Sequence, residues 1–401
     1  MLSPYRVLDI SDEKGTVCGK ILTELGADVI KIEEPSGSKE RSIGPFVNDD
    51  SDPERSLFWF AFNRGKKGIT LHLEDDEAKE IFKRLARDTD IVIESFQPGY
   101  LDSIGLGYSA LRQVNPGIVL VSISPFGQTG PYRDYKASDI VIMAMSGYMH
   151  LCGDSDRPPV RVSYPLAYGF AATEAATGCL IALYDREMTG EGQHVEVSAQ
   201  EAVTEFTLMA PWHWDAMKTV TQRTGRGGDL RQCKDGWVMF RIYGGQMGAR
   251  MNTALSEWME SEGLADEFLE GVDWEMLDMA TVSREYLSEI NEAVNRFFMQ
   301  LTKAELREGA AKRGINLDPV WTVPEILDSV QLNDRNFYVD VDHPELGMSI
   351  TYPGGFFISS DIPCCIGERA PLIGEHNDEI YRDRLGLSDS ELKHLRERKI
   401  I

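Results

Sequence analysis

Through its first 130 residues the chain alternates short runs rich in Val and Ile with stretches of helical pattern, and that alternation is the strongest constraint on its fold. Tyr5–Ile10, Asp28–Glu33, Gly68–Leu73, Asp90–Glu94 and Ile118–Ser124 read as strands. Most are nearly continuous in apolar residues, the mark of strands buried on both faces of a parallel sheet. Helical patterns separate them. One follows Gly15 through Leu25 and closes at Gly26, and another runs from Glu77 to Asp88 behind the acidic pair Asp75-Asp76. Carboxylates there favour the positive end of a helix. A short helix from Tyr108 to Val114 stops before Asn115-Pro116-Gly117. Such a chain is α/β, with a Rossmann-like large domain.

Further along, Ala167 to Glu187 reads as one long helix rich in Ala, Thr and Gly. It ends in the turn Thr189-Gly190-Glu191-Gly192, which leads into the strand Gln193–Ser198. Beyond Trp214 the character changes. Gly225, Gly227 and Gly228 suggest a linker, Lys234-Asp235-Gly236-Trp237 a hairpin turn, and residues 250 to 315 a mostly helical, strongly acidic region. A large domain over 1–215 and a smaller α+β domain over 225–340 are expected.

Charge removes several classes of function. Forty-one basic against 65 acidic residues leave a net −24. A nucleic acid or an anionic membrane needs a positive surface, so both are disfavoured; a small polyanionic ligand needs only local cations. The turn after the first strand, Ser11-Asp12-Glu13-Lys14-Gly15-Thr16, has two acids and no glycine triplet, which argues against a dinucleotide cofactor. Six cysteines without C-x-x-C spacing predict buried thiols, no metal site and a cytoplasmic location. His150 and His213 have no ligand spacing, and Trp212-His213-Trp214 reads first as aromatic packing.

Several segments together resemble the class III CoA-transferases, which include formyl-CoA and carnitine CoA-transferases and α-methylacyl-CoA racemase. They are Leu25–Glu33, Phe62–Gly68, Glu94–Gly99 with Leu101-Asp102 and Gly105–Tyr108, Gly127–Tyr132, Arg186–Gln193 and Pro371–His376. The resemblance implies that 341–401 returns to complete the large domain, and that two chains interlock as a dimer. It also implies transfer of CoA between carboxylic acids, begun by an aspartate carboxylate that attacks the acyl-CoA carbonyl.

That aspartate belongs eighteen residues before Arg186, where this chain has Tyr168. The nearest acids are Asp156 and Glu174, and Glu174 lies roughly 240° further round a helix. A phenol, with an ordinary pKa of about 10, is little ionised at neutral pH. The racemase branch implies a histidine beside an acid, but Ser138 precedes Asp139 here. No catalytic residue is therefore assigned, with Asp139 as the alternative acid or base. The resemblance implies CoA contacts at Lys136, Lys66, Lys67, Phe96 and Gln97. Two of the family's arginine positions hold Glu34 and Ser103 instead.

The expected function is the non-catalytic subunit of a heteromeric CoA-transferase, with acyl-CoA as substrate and a paralogous partner carrying the aspartate. The first substrate pair implied is succinyl-CoA and (R)-benzylsuccinate. The alternatives are a homodimeric acyl-CoA lyase, isomerase or hydratase using Asp139 without a covalent intermediate, and a non-enzymatic acyl-CoA-binding module.

Overall fold

Residues 1–207, 209–223, 229–279 and 281–401 are described by a computed structural model, the side chain of Met247 excepted. The glycines at 225, 227 and 228 lie outside the described residues. The chain forms two compact units. One joins Met1–Gly153, Pro159–Arg223 and Asp334–Ile401; the other joins Asp154–Pro158 and Thr224–Asn333.

In the first unit six strands pair in parallel: β1 (Arg6–Asp9), β2 (Asp28–Glu33), β3 (Lys67–Thr70), β4 (Ile91–Glu94), β5 (Val119–Ser124) and β6 (His194–Ser198). Their order is β3-β2-β1-β4-β5-β6. Strand alternation sends Val7, Val29, Ile91, Ile93, Val119 and Val121 to one apolar cluster and Leu8, Ile30, Ile69, Val92 and Leu120 to the other. The first is covered by α1 (Thr16–Glu24) and by α7, described below. The second is covered by α3 (Asp76–Ala86) and by C-terminal residues including Ile380, Tyr381 and Leu392. Two helices fall between these elements: α2 (Leu57–Asn63), ahead of β3, and α4 (Tyr100–Ser103), after β4. Then come α5 (Tyr108–Val114) and α6 (Asp139–Met145).

The longest helix, α7 (Leu166–Thr189), packs on β5 and β6. Ala167, Ala171, Ala172, Ala175, Ala176, Cys179 and Ala182 form its buried face, so the helix can lie close to the sheet. Its length and composition would suit a membrane span, but this buried face is the inside of an α/β layer. Geometry explains the glycines that follow it. Gly190, at φ +76°, turns the chain through a left-handed cap and donates its N–H to Arg186 O. A Cβ on Gly192 would lie 2.0 Å from Ile118 O, so only glycine fits against the start of β5.

The second unit has its own core around Phe240, Leu255, Trp258, Val294 and Phe297. Its antiparallel sheet, in the order β7-β8-β9, comprises β7 (Leu230–Cys233), β8 (Gly236–Phe240) and β9 (Leu317–Pro319). The β7–β8 turn is Lys234-Asp235, and long helices follow at Gly245–Ser261, Arg284–Phe298 and Lys303–Arg313.

Candidate functional site

The strand order reverses between β1 and β4, and the crevice at their C-terminal ends is where open α/β sheets bind ligands. Three elements meet there: the loop Ser11–Gly15 after β1, Glu94-Ser95 at the end of β4, and the first turn of α7. Asp12 and Ser95 tie the two strand ends together. The Asp12 N–H donates to Ser95 Oγ at 2.8 Å, and that hydroxyl donates to Asp12 Oδ1 at 2.6 Å. The Lys14 ammonium rests on the same carboxylate.

Acids dominate this crevice. Burial, and then the charge of Asp12, raise the pKa of Glu13. Burial pushes Glu94 up to about 7, against hydrogen bonds from Ser122 and from the Phe96 N–H, the latter at 2.7 Å. Tyr168 is half-buried in the first turn of α7, with its hydroxyl 3.4 Å from Ala137 O. Burial raises its pKa, and Glu13, Asp12 and Asp139 raise it further. At position 168 the crevice therefore offers a neutral phenol, a hydrogen-bond donor without nucleophilic charge.

Asp139 has a structural occupation. Its Oδ1 accepts the Ala167 N–H at 2.7 Å, and its carboxylate is also bonded by the Tyr168 N–H. It thereby caps α7 from another segment, supplying the acceptor that the proline at the head of the helix lacks. Burial raises its pKa while these two N–H groups and Arg161 oppose the rise.

The residues expected to contact CoA are dispersed. Lys66 points inward: its Nζ lies 2.8 Å from Asp9 Oδ2 and donates to Asn63 Oδ1 at 2.9 Å. Burial pulls the Lys66 pKa down, with Lys31 adding to the effect and Asp9 opposing it. Burial alone would raise Asp9, yet Lys31 and Lys66 hold it down at about 2. Lys67 turns the other way, between Asp28 at 3.4 Å and Glu379 at 2.9 Å. It borders a cavity of about 610 Å³ with Asp340, Asp342, Arg369 and His376. Arg64 of the same loop is buried on Glu24 at 2.9 Å. Phe96 is half-buried against Tyr100, ring centroids 4.7 Å apart, and Gln97 is exposed.

Lys136 is exposed, and among the described residues no carboxylate pairs with it. Glu34, at one lost arginine position, meets His72 Nδ1 at 2.7 Å, and Ser103 at the other donates to Tyr100 O at 2.7 Å. Sequence reasoning missed Glu94 as a titrating group. A glutamate closing an otherwise apolar strand was the available signal.

Comparison with known proteins gives this arrangement a family. Residues 2–377 match the profile of CoA-transferase family III. The chain is 34% identical to "Succinyl-CoA:(R)-benzylsuccinate CoA-transferase subunit BbsE" of Thauera aromatica, over 94% of this chain and 93% of that one. It is 28% identical to "Succinyl-CoA--L-malate CoA-transferase beta subunit" of Chloroflexus aurantiacus, covering 100% of this chain and 98% of the relative. Among solved structures, a CAIB/BAIF family protein from Brucella suis superposes with a TM-score of 0.82 at 27% identity, over 94% of this chain and 98% of that one. The chain belongs to CoA-transferase family III.

Proposed function

We propose that this chain is the non-catalytic subunit of a heteromeric CoA-transferase, interlocked with a paralogous subunit that carries the nucleophilic aspartate. The observation that carries the reading is Tyr168, held neutral by burial and by Glu13, Asp12 and Asp139 where the resemblance implies the nucleophile. Two relatives that are themselves named as subunits of CoA-transferases support the paired assembly. The first candidate substrates are succinyl-CoA and (R)-benzylsuccinate, the pair in the name of the BbsE relative. In this assembly, which we place in the cytoplasm, the partner's carboxylate forms the acyl anhydride and releases CoA thiolate. This chain closes and shapes the cleft. Lys136 is the cation here best placed to meet a CoA phosphate, because Lys66 and Lys67 are engaged with internal carboxylates. A homodimeric acid/base enzyme built on Asp139 gains no support from a carboxylate engaged as the cap of α7.

Native mass spectrometry of the protein purified from its own source tests the assembly. The expected result is a complex with a second chain of similar mass that has an aspartate at the position of Tyr168. A clean homodimer would overturn it.

A further inference from the structure

Glu94 is a buried carboxyl that the proposed function leaves without a task, and it does not stand alone. Side chains alternate along a strand, so residues in matching register on neighbouring strands share one face of the sheet. Glu94 on β4 is opposite Ser122 on β5, and His194 on β6 is opposite Leu120, two residues before Ser122. All three therefore lie on the face that carries Val92 and Leu120.

Ser122 bridges the other two. Its hydroxyl bonds the Glu94 carboxylate and lies 2.8 Å from His194 Nε2. Glu94 and Ser122 are 5% and 2% exposed, so solvent barely touches either. His194, on the edge strand, is exposed. Its ring stacks on Tyr108 with centroids 5.7 Å apart, and among the described residues its Nδ1 has no hydrogen-bond partner. The chain of bonds runs from the crevice to the outside. A serine hydroxyl has a single proton, and that fixes the sense of the whole chain. With Glu94 ionised, Ser122 donates to the carboxylate and must accept from His194 Nε2–H. With Glu94 protonated, the carboxyl O–H donates to Ser122, the Ser122 proton turns to His194 Nε2, and the ring carries its hydrogen on Nδ1.

We propose that Glu94, Ser122 and His194 form a proton relay between the crevice and the outer edge of the sheet. A proton from solution binds His194 Nδ1, the Nε2 proton passes to Ser122 Oγ, and the Ser122 proton passes to the Glu94 carboxylate. One N–H bond forms and one breaks on the ring, Ser122 exchanges one O–H for another, and Glu94 gains one. No other reactant is consumed. The charged groups facing the chain are Asp12 and Lys14 at its inner end and Glu196 and Asp102 at its outer end. Burial lowers the His194 pKa against those two acids, so the ring is mostly neutral where Glu94 titrates. The relay lets the crevice change its charge while a ligand or a partner covers its mouth, whichever chain carries the nucleophile.

NMR of the purified assembly with isotope-labelled histidine tests the relay between pH 6 and pH 8. The signal lost in His194→Gln assigns the residue. Neutral His194 should change tautomer, from about nine-tenths Nδ1–H at pH 6 to about one-tenth at pH 8, in step with a carboxyl of pKa about 7. Ser122→Ala and Glu94→Gln should each abolish that dependence and leave one tautomer ratio across the range. A wild-type ring that keeps one neutral tautomer throughout would overturn the relay. So would a switch that persists in Ser122→Ala, because the proton state of Glu94 would then reach His194 without the hydroxyl.

Discussion

Burial raises the pKa of both Tyr168 and Glu94 in one crevice, yet only Glu94 titrates near physiological pH. Glu94 is 5% exposed, and its pKa of about 7 stands well above the 4.5 of an ordinary glutamate. Its folded form therefore binds a proton more tightly than its unfolded form. The stability this contributes is present below 4.5 and is lost as pH rises towards 7. Glu94→Gln removes the ionisation and keeps an oxygen to accept the Phe96 N–H. At pH 8 the variant should be more stable than wild type by up to about 3 kcal/mol, with the difference shrinking towards pH 5. Urea unfolding at pH 5, 6, 7 and 8 checks this, and a difference that does not vary with pH would refute it. Counting back from Arg186 was enough to find Tyr168 in the sequence. The acids that set its protonation were not legible as neighbours, because Asp12 and Glu13 reach it only through the fold, more than 150 positions away in the sequence, and Asp139 from a separate helix.

At the scale of elements, burial on both faces made β1, β2, β4 and β5 readable as apolar runs, and Asp28–Glu33 and Tyr108–Val114 form where the pattern places them. Helix α2 was less legible, since Leu57–Phe62 is apolar in nearly every position and has neither the 3.6-residue nor the two-residue alternation. Ser56 decides the matter locally by accepting the Trp59 N–H at 3.1 Å. The cap of α7 was illegible for a different reason: its acceptor, Asp139, comes from 28 residues upstream. Asp139→Ala should cost about 1–2 kcal/mol, read as a lower urea midpoint, because the first N–H groups of α7 lose a buried acceptor. Asp139→Asn keeps an accepting oxygen and should recover most of that loss. CoA transfer by the complex should follow stability in both variants. An Asp139→Asn protein that is stable but inactive would instead make Asp139 a catalytic acid or base.

Over the whole molecule the charges follow one plan. The net charge is −24, and each cation of the basic loop is paired within the chain: Arg64 with Glu24, Lys66 with Asp9, and Lys67 with Asp28 and Glu379. Cations so engaged tie the loop to α1, to β1 and β2 and, through Glu379, to the C-terminal cover, and a CoA phosphate would have to displace a carboxylate to reach them. The crevice adds Asp12, Glu13 and Glu94 around a neutral phenol. If this chain completes a cleft whose chemistry comes from a partner, as we propose, stoichiometry is the sharpest consequence. With the aspartate-bearing partner held fixed, CoA-transfer activity should climb as this chain is added and stop at one chain per partner. The chain alone should show none. Tyr168→Phe should give the same plateau within about twofold, since a phenol that stays protonated gives up only a hydrogen bond. Turnover by the chain alone, or a loss of several hundredfold in Tyr168→Phe, would show that the phenol takes part in the chemistry and that this subunit is an enzyme in its own right.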